Sequence, residues 1–214
     1  MDTHNEVPPR VAVVIGSTRP ESRDGVAGIE RKGAAVGRWV LEKASAHGGA
    51  EYELVDLAEV GLPMFDEPLP PILGHYTGEH TRSWARLVDG FDAFVFVTPE
   101  YNRSVPAALK NAVDYLYAEW NDKAAGFVGY GAVGGAHAVD HLRGVLSEVR
   151  VAHVQAQVSL GLYTDFEDLQ YFKPAGHQEE ALGALLDQLL PWARAMRSVR
   201  SARAEAAAGA QGAA

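Results

Sequence analysis

Three short stretches of this chain gather side chains that could hold a ligand. In GSTRPESRDG, residues 16–25, hydroxyls at Ser17, Thr18 and Ser22 accompany guanidinium groups at Arg19 and Arg23. An arginine fork matches the planar oxygens of a phosphate, and backbone N–H groups ahead of a helix complete an anion cradle. The pattern is neither a Walker loop nor G-x-G-x-x-G, so ATP and a conventional dinucleotide site are not indicated. A solvated turn could use the same residues.

The second stretch is TPEYNRSVPAALKNAVDYL, residues 98–116. Pro99 sets the exit from an apolar run, then Glu100, Tyr101, Asn102 and Ser104 follow, and Pro106 suits the first turn of a helix. Turn and cap chemistry accounts for Ser104 and Pro106. An aromatic beside an amide, Tyr101 and Asn102, suits a planar heterocycle equally well. The third stretch, GYGAVGGAH at residues 129–137, holds four glycines that let backbone approach a flat ligand, with Tyr130 at its edge. Those glycines would also serve tight packing of a strand against a helix.

The surrounding elements decide how these stretches meet. VAVVIG (11–16) is a continuous, β-branched apolar run, the pattern of a strand covered on both faces. YELVDL (52–57), FDAFVFV (91–97), AAGFVGYG (124–131) and VAHVQAQVSL (151–160) read as further strands. Val36, Trp39, Val40 and Ala44 repeat at helical spacing before a Gly48–Gly49 stop. HTRSWARLVDG, AALKNAVDYLYAEW and GAHAVDHLRGVLSEV read as helices, and residues 58–78 as a long, proline-rich ordered loop. A last helix starts at His177 and carries Leu182, Leu185, Leu186 and Leu189, with Pro191 expected to bend it or limit its regularity. Residues 1–200 are expected to form one domain, and the low-complexity segment 201–214 a disordered tail.

Alternating strands and helices predict a parallel sheet covered on both faces. In the order 2-1-3-4-5, strands 1, 3 and 4 are central neighbours. Their loops, the three stretches above, would then converge beyond the carboxyl ends of the strands, where such sheets bind ligands. Phosphate donors at one end and a glycine-lined slot at the other describe a mononucleotide with a large planar ring, such as FMN.

Composition bounds the rest. A net charge of −9 over 214 residues argues against a general nucleic-acid or anionic-membrane binder. No apolar window approaches the ~20 residues that cross a bilayer, and the polar start MDTHNEVPPR is unlike a signal peptide. Cysteine is absent, which excludes disulfides, thiolate metal sites and a cysteine nucleophile. A soluble cytoplasmic protein is expected. His137 and His141, four residues apart on a predicted helix, have the spacing of a chelating pair but no adjoining third ligand, so no metal is expected. The acidic run DFEDLQ (165–170) reads as a solvated loop.

VAVVIGSTRP, TPEYNRSVPAALKNAVDYL and NDKAAGFVGYGAVGGAHA, in that order, resemble the NADPH-dependent FMN reductase family of flavodoxin-like proteins, which includes quinone, azo-dye and chromate reductases. The resemblance runs from about residue 10 to 160. It implies a flavodoxin-like three-layer α/β fold with FMN as cofactor and NAD(P)H as co-substrate. By that resemblance Ser17, Arg19 and Ser22 bind the FMN phosphate, and Pro99, Glu100, Tyr101, Asn102 and Ser104 flank the flavin. Tyr130, Gly131, Gly134 and Gly135 would meet the other part of the ring system. The passage SRDGVAGIERKG is longer than the family's usual one, which leaves Arg23, Arg31 and Lys32 as further cationic candidates.

The same resemblance implies electron transfer from NAD(P)H through the flavin to a small-molecule acceptor such as free FMN or a quinone. No acid–base residue is assigned; Glu100 and Tyr101 are the nearest candidates. A homodimer or homotetramer is implied, with Tyr117 and Trp120 either packing on a partner or closing the core. Two other functions fit the residues: a flavodoxin-like electron carrier, and an FMN-dependent dehydrogenase of a biosynthetic intermediate.

Overall fold

Five segments form parallel strands: β1 (Arg10–Ile15), β2 (Glu51–Asp56), β3 (Ala93–Pro99), β4 (Ala124–Gly131) and β5 (Ala152–Gly161). The structure is a computed structural model that describes residues 7–20 and 30–211. The strand order is β2-β1-β3-β4-β5, as the alternation of elements predicts. Every residue of β3 and β4 is buried, which explains why these strands lack a polar alternation.

Successive side chains point to opposite faces, and each face has its own core. On one side Ala12, Val14, Phe94, Phe96 and Phe127 meet α3 (Glu79–Asp89), α4 (Ala107–Asp114) and α5 (Ala136–Glu148) through Trp84, Leu109, Val139 and Leu142. On the other, Val11, Val13, Val95 and Val97 meet α1 (Lys32–His47) and α6 (His177–Gln211) through Val36, Val40, Leu185 and Leu189. The short α2 (Leu57–Val60) opens the long loop that leads to α3.

Helix α4 stops at Asp114, six residues before the end its composition suggests at Trp120. Two indoles explain the stop. Trp84 Nε1 donates to Ala112 O at 2.8 Å and Trp120 Nε1 to Val113 O at 3.1 Å, so terminal carbonyls find partners without another helical turn. Trp120 itself is 1% exposed and belongs to the core, the second of the two places open to it.

Three features differ from sequence expectation. Helix α6, with Pro191 inside it, continues to Gln211, into the segment whose composition suggested disorder. Alanine-rich sequence favours helix, and Arg203 pairs with Asp122 while Arg197 and Arg200 pair with Asp92, pinning α6 to the amino end of the sheet. A small antiparallel hairpin, β6 (Phe166–Glu167) and β7 (Tyr171–Phe172), precedes α6. Asp165, expected in a solvated acidic run, is 1% exposed. It accepts from Gly161 N, Thr164 Oγ1, Ala175 N and Gln178 Nε2, fastening the exit of β5 to the start of α6.

Candidate active site

The loops leaving β1, β3 and β4 lie side by side because those strands are neighbours. Gly16 N donates to Val97 O at 2.9 Å, and a Cβ at Gly16 would lie 2.8 Å from Leu109 Cδ2. Glycine is needed there for α4 to approach. Ser17 is buried, and its hydroxyl accepts from Arg19 N at 3.3 Å. Ser22 and Arg23 lie outside the described residues.

The other flank of this passage carries Arg31 and Lys32, which behave differently. Arg31 donates to Ser17 O and to the Asp56 carboxylate at the end of β2, and its side chain is 9% exposed. It braces the loop and is already committed to protein partners. For Lys32, burial and then the charge of Arg19 lower the pKa. Two cations thus crowd the start of α1, whose first turn has no acidic residue and whose N-cap makes no side-chain hydrogen bond. The positive field there comes from side chains and helix terminus together.

After β3 the chain folds back at once. Tyr101 N donates to Ser104 O at 2.9 Å and Ser104 N to Tyr101 O at 3.0 Å. Between them Asn102 and Arg103 have φ of 49° and 66°, the left-handed pair of a tight primed hairpin turn. Tyr101 is exposed at the tip, Pro99 is buried as the last residue of β3, and Glu100 N donates to Tyr130 O at 3.0 Å.

The Glu100 carboxylate is fully engaged. Oε2 accepts from His137 N at 3.0 Å and Oε1 faces His137 Nδ1 at 2.9 Å. Burial alone would raise its pKa, but the His137 imidazole and amide outweigh it and hold the carboxyl below its usual range. One turn further along α5, His141 Nδ1 shares a 3.1 Å hydrogen bond with Ser104 Oγ. Two histidines of one helix face therefore grip both ends of the hairpin.

The glycines after β4 have separate duties. A Cβ on Gly135 (φ 74°) would fall 2.6 Å from Tyr130 N, and one on Gly134 (φ 69°) 2.9 Å from Ser159 Cβ. These two serve strand-to-helix packing. Gly131 faces Glu100, whose Cβ would be 3.3 Å from an added Cβ. Tyr130 is 5% exposed, its ring packs on Phe166 and its hydroxyl shares a hydrogen bond with Ser17. Burial pushes its phenol well above the ordinary value.

Residues 9–165 match the family described as NADPH-dependent FMN reductase. The chain belongs to the NADPH-dependent FMN reductase family. An NAD(P)H-dependent FMN reductase of Schizosaccharomyces pombe is 40% identical over 160 residues, covering 72% of this chain and 75% of the relative. A quinone reductase of Pseudomonas putida is 32% identical over 205 residues, covering 88% and 97%. Among solved structures, the NAD(P)H:(acceptor) oxidoreductase FerB of Paracoccus denitrificans superposes with a TM-score of 0.63 at 22% identity, covering 88% of this chain and 98% of that one, a likeness of fold.

Within this FMN reductase family member, the structure brings Ser17, Arg19, Glu100, Tyr101, Asn102, Ser104 and Gly131 to one edge of the sheet. Sequence reasoning overlooked the partners of Glu100 and Ser104, although His137 and His141 have helical spacing and follow a glycine turn. It also overlooked Asn111 and Tyr115, which hold the loop before α3: Asn111 Nδ2 donates to Pro63 O at 2.7 Å and Tyr115 OH to Asp66 Oδ1 at 3.0 Å. Among the described residues no group of three or more His, Asp or Glu could hold a metal ion, and no helix is long and apolar enough to cross a membrane.

Proposed function

We propose that this chain is an FMN-dependent NAD(P)H oxidoreductase that passes electrons to a small acceptor, a quinone or a flavin. One observation carries the reading: Arg19 and Lys32, cations close enough to feel each other's charge at the β1–α1 turn, share the carboxyl edge of the sheet with the Tyr101–Ser104 hairpin and the Gly131 backbone. The donor set fits FMN. Arg19, Lys32 and the loop amides suit a phosphate, with Ser22 completing the set and Arg31 holding the loop in place. Ser17 works through its packing on Tyr130. Pro99, Glu100, Tyr101, Asn102, Ser104 and Gly131 form the wall for a flat ring, while Gly134 and Gly135 let α5 close behind it.

FMN, when bound, supplies the redox chemistry: two electrons enter from NAD(P)H and leave to the acceptor. The protein's own contribution is orientation and a fixed field. The relatives' names, FMN reductase and quinone reductase, support the same pair of acceptors.

Residues 1–200 are the unit that does this, in the cytoplasm, as a homodimer or homotetramer. The loop before α3 favours assembly: it is tied down by Asn111 and Tyr115, yet Met64, Ile72 and Leu73 are 73%, 63% and 55% exposed. Titrating FMN into flavin-free protein and following flavin fluorescence tests the reading. Saturable binding of one FMN per chain is expected; no binding overturns it.

A further inference from the structure

The Glu100–His137 pair holds an imidazole in one tautomer at the carboxyl edge of the two central strands. An ionised carboxylate only accepts hydrogen bonds, so the 2.9 Å contact to Oε1 puts the neutral ring's proton on Nδ1. The second carboxylate oxygen takes the His137 amide at 3.0 Å, so ring and backbone are fixed together. Nε2 has no hydrogen-bond partner among the described residues, and the His137 side chain is 33% exposed. Glu100 in turn stands opposite Gly131, the glycine whose Cα faces the Glu100 side chain across the two strand ends.

The charged and titratable surroundings are sparse. The hairpin brings Glu100, Tyr101 and Arg103, and the Gly131–Gly135 loop brings no ionisable residue. Its own helix carries Asp140 and His141, the latter engaged with Ser104 Oγ. Tyr130 is turned away into the core and its phenol is held protonated by burial. His137 is thus the group at this edge whose ring nitrogen is both oriented by a carboxylate and without a hydrogen-bond partner among the described residues.

We infer that His137, oriented by Glu100, delivers the proton that completes reduction of a quinone acceptor. This rests on the function proposed above. A quinone that takes a hydride equivalent, two electrons and one proton originating from NAD(P)H, becomes a hydroquinone monoanion. The Nε2–H bond of the imidazolium breaks and an O–H bond forms on the remaining phenolate oxygen, leaving neutral hydroquinone and neutral imidazole. A proton taken up from bulk solvent then restores the Nε2–H bond, so the cycle consumes one solvent proton per hydroquinone formed. Glu100 keeps the Nδ1 proton in place throughout and stabilises the imidazolium before transfer.

Ferricyanide separates this role from every other one, because it takes single electrons and needs no proton. In His137→Gln, the ratio of quinone to ferricyanide turnover with NAD(P)H should fall by about 10²-fold, in the range of general acid catalysis, while FMN affinity stays within about twofold of wild type. An unchanged ratio, whether both activities persist or both fall in parallel, overturns the role. Should His137→Gln not fold, Glu100→Gln replaces it and should lower the same ratio. The tautomer is read independently by ¹⁵N NMR of the imidazole: Nδ1–H in wild type, shifting toward Nε2–H in Glu100→Ala. A wild-type ring in the Nε2–H form overturns the inference without touching the FMN reading. Failure of wild-type protein to bind FMN or reduce ferricyanide removes the reading on which the inference stands.

Discussion

Glu100 Oε2 accepts the amide of His137 at 3.0 Å while Oε1 faces the same residue's Nδ1 at 2.9 Å, so one carboxylate joins the loop of β3 to the first turn of α5. The contact works as a helix cap supplied from another element. Because the partners hold the Glu100 carboxyl below its ordinary value, the sign of its linkage is fixed: its stabilisation is present above the usual glutamate range and is lost as pH falls through the lowered folded value. Glu100→Gln should therefore be less stable than wild type at neutral pH, and the gap should close on acidification. Urea midpoints at several pH values check this; a gap that widens on acidification contradicts it.

Arg19 and Arg31 carry the same charge but should not behave alike. Arg31 is occupied by Ser17 O and Asp56, while Arg19 is exposed and crowds Lys32. Arg19→Ala is expected to weaken FMN binding by about tenfold, the loss of one charged hydrogen bond. Arg31→Ala should chiefly lower thermal stability, with a smaller effect on affinity. Fluorescence titration beside a melting curve distinguishes them.

Much of this arrangement is legible in the residues alone. Continuous apolar runs, rich in Val in β1, in Val and Phe in β3 and in Ala and Gly in β4, mark these strands as doubly covered, and that fixes which three loops share an edge. What escapes is anything decided by a partner distant in sequence. The partner of the Glu100 carboxylate, His137, lies 37 residues away on α5. The packing of the Tyr130 ring on Phe166, 36 residues on, is likewise invisible in the local pattern. Asp165 looks solvated because its partners at Ala175 and Gln178 lie beyond a hairpin whose two-residue strands are too short to show a period.

Lys123 offers a pH test far from the site. It is 2% exposed, donates to Val88 O at 2.7 Å and Asp89 O at 3.1 Å, and burial brings its pKa down to about 8. A lysine lowered on folding makes stability rise with pH between the folded value and the unfolded one of 10.5, since the unfolded chain there binds more protons. Lys123→Met should flatten that rise. Denaturant midpoints across this alkaline window check the slope.

Trp120 joins the aromatic core, with ring centroids 5.0 Å from Phe94 and 6.0 Å from Trp84. Trp120→Ala should cost about 3–5 kcal/mol through the cavity it leaves. The loss should be independent of protein concentration, as expected of a core residue. A destabilisation that vanishes at high concentration would place the residue in an interface instead.

The most direct measurement is anaerobic mixing of the FMN-loaded protein with NADPH or NADH while flavin absorbance is followed. Rapid bleaching, reversed on adding a quinone, is the predicted result. Bound FMN that stays oxidised with both nucleotides would contradict the proposed oxidoreductase.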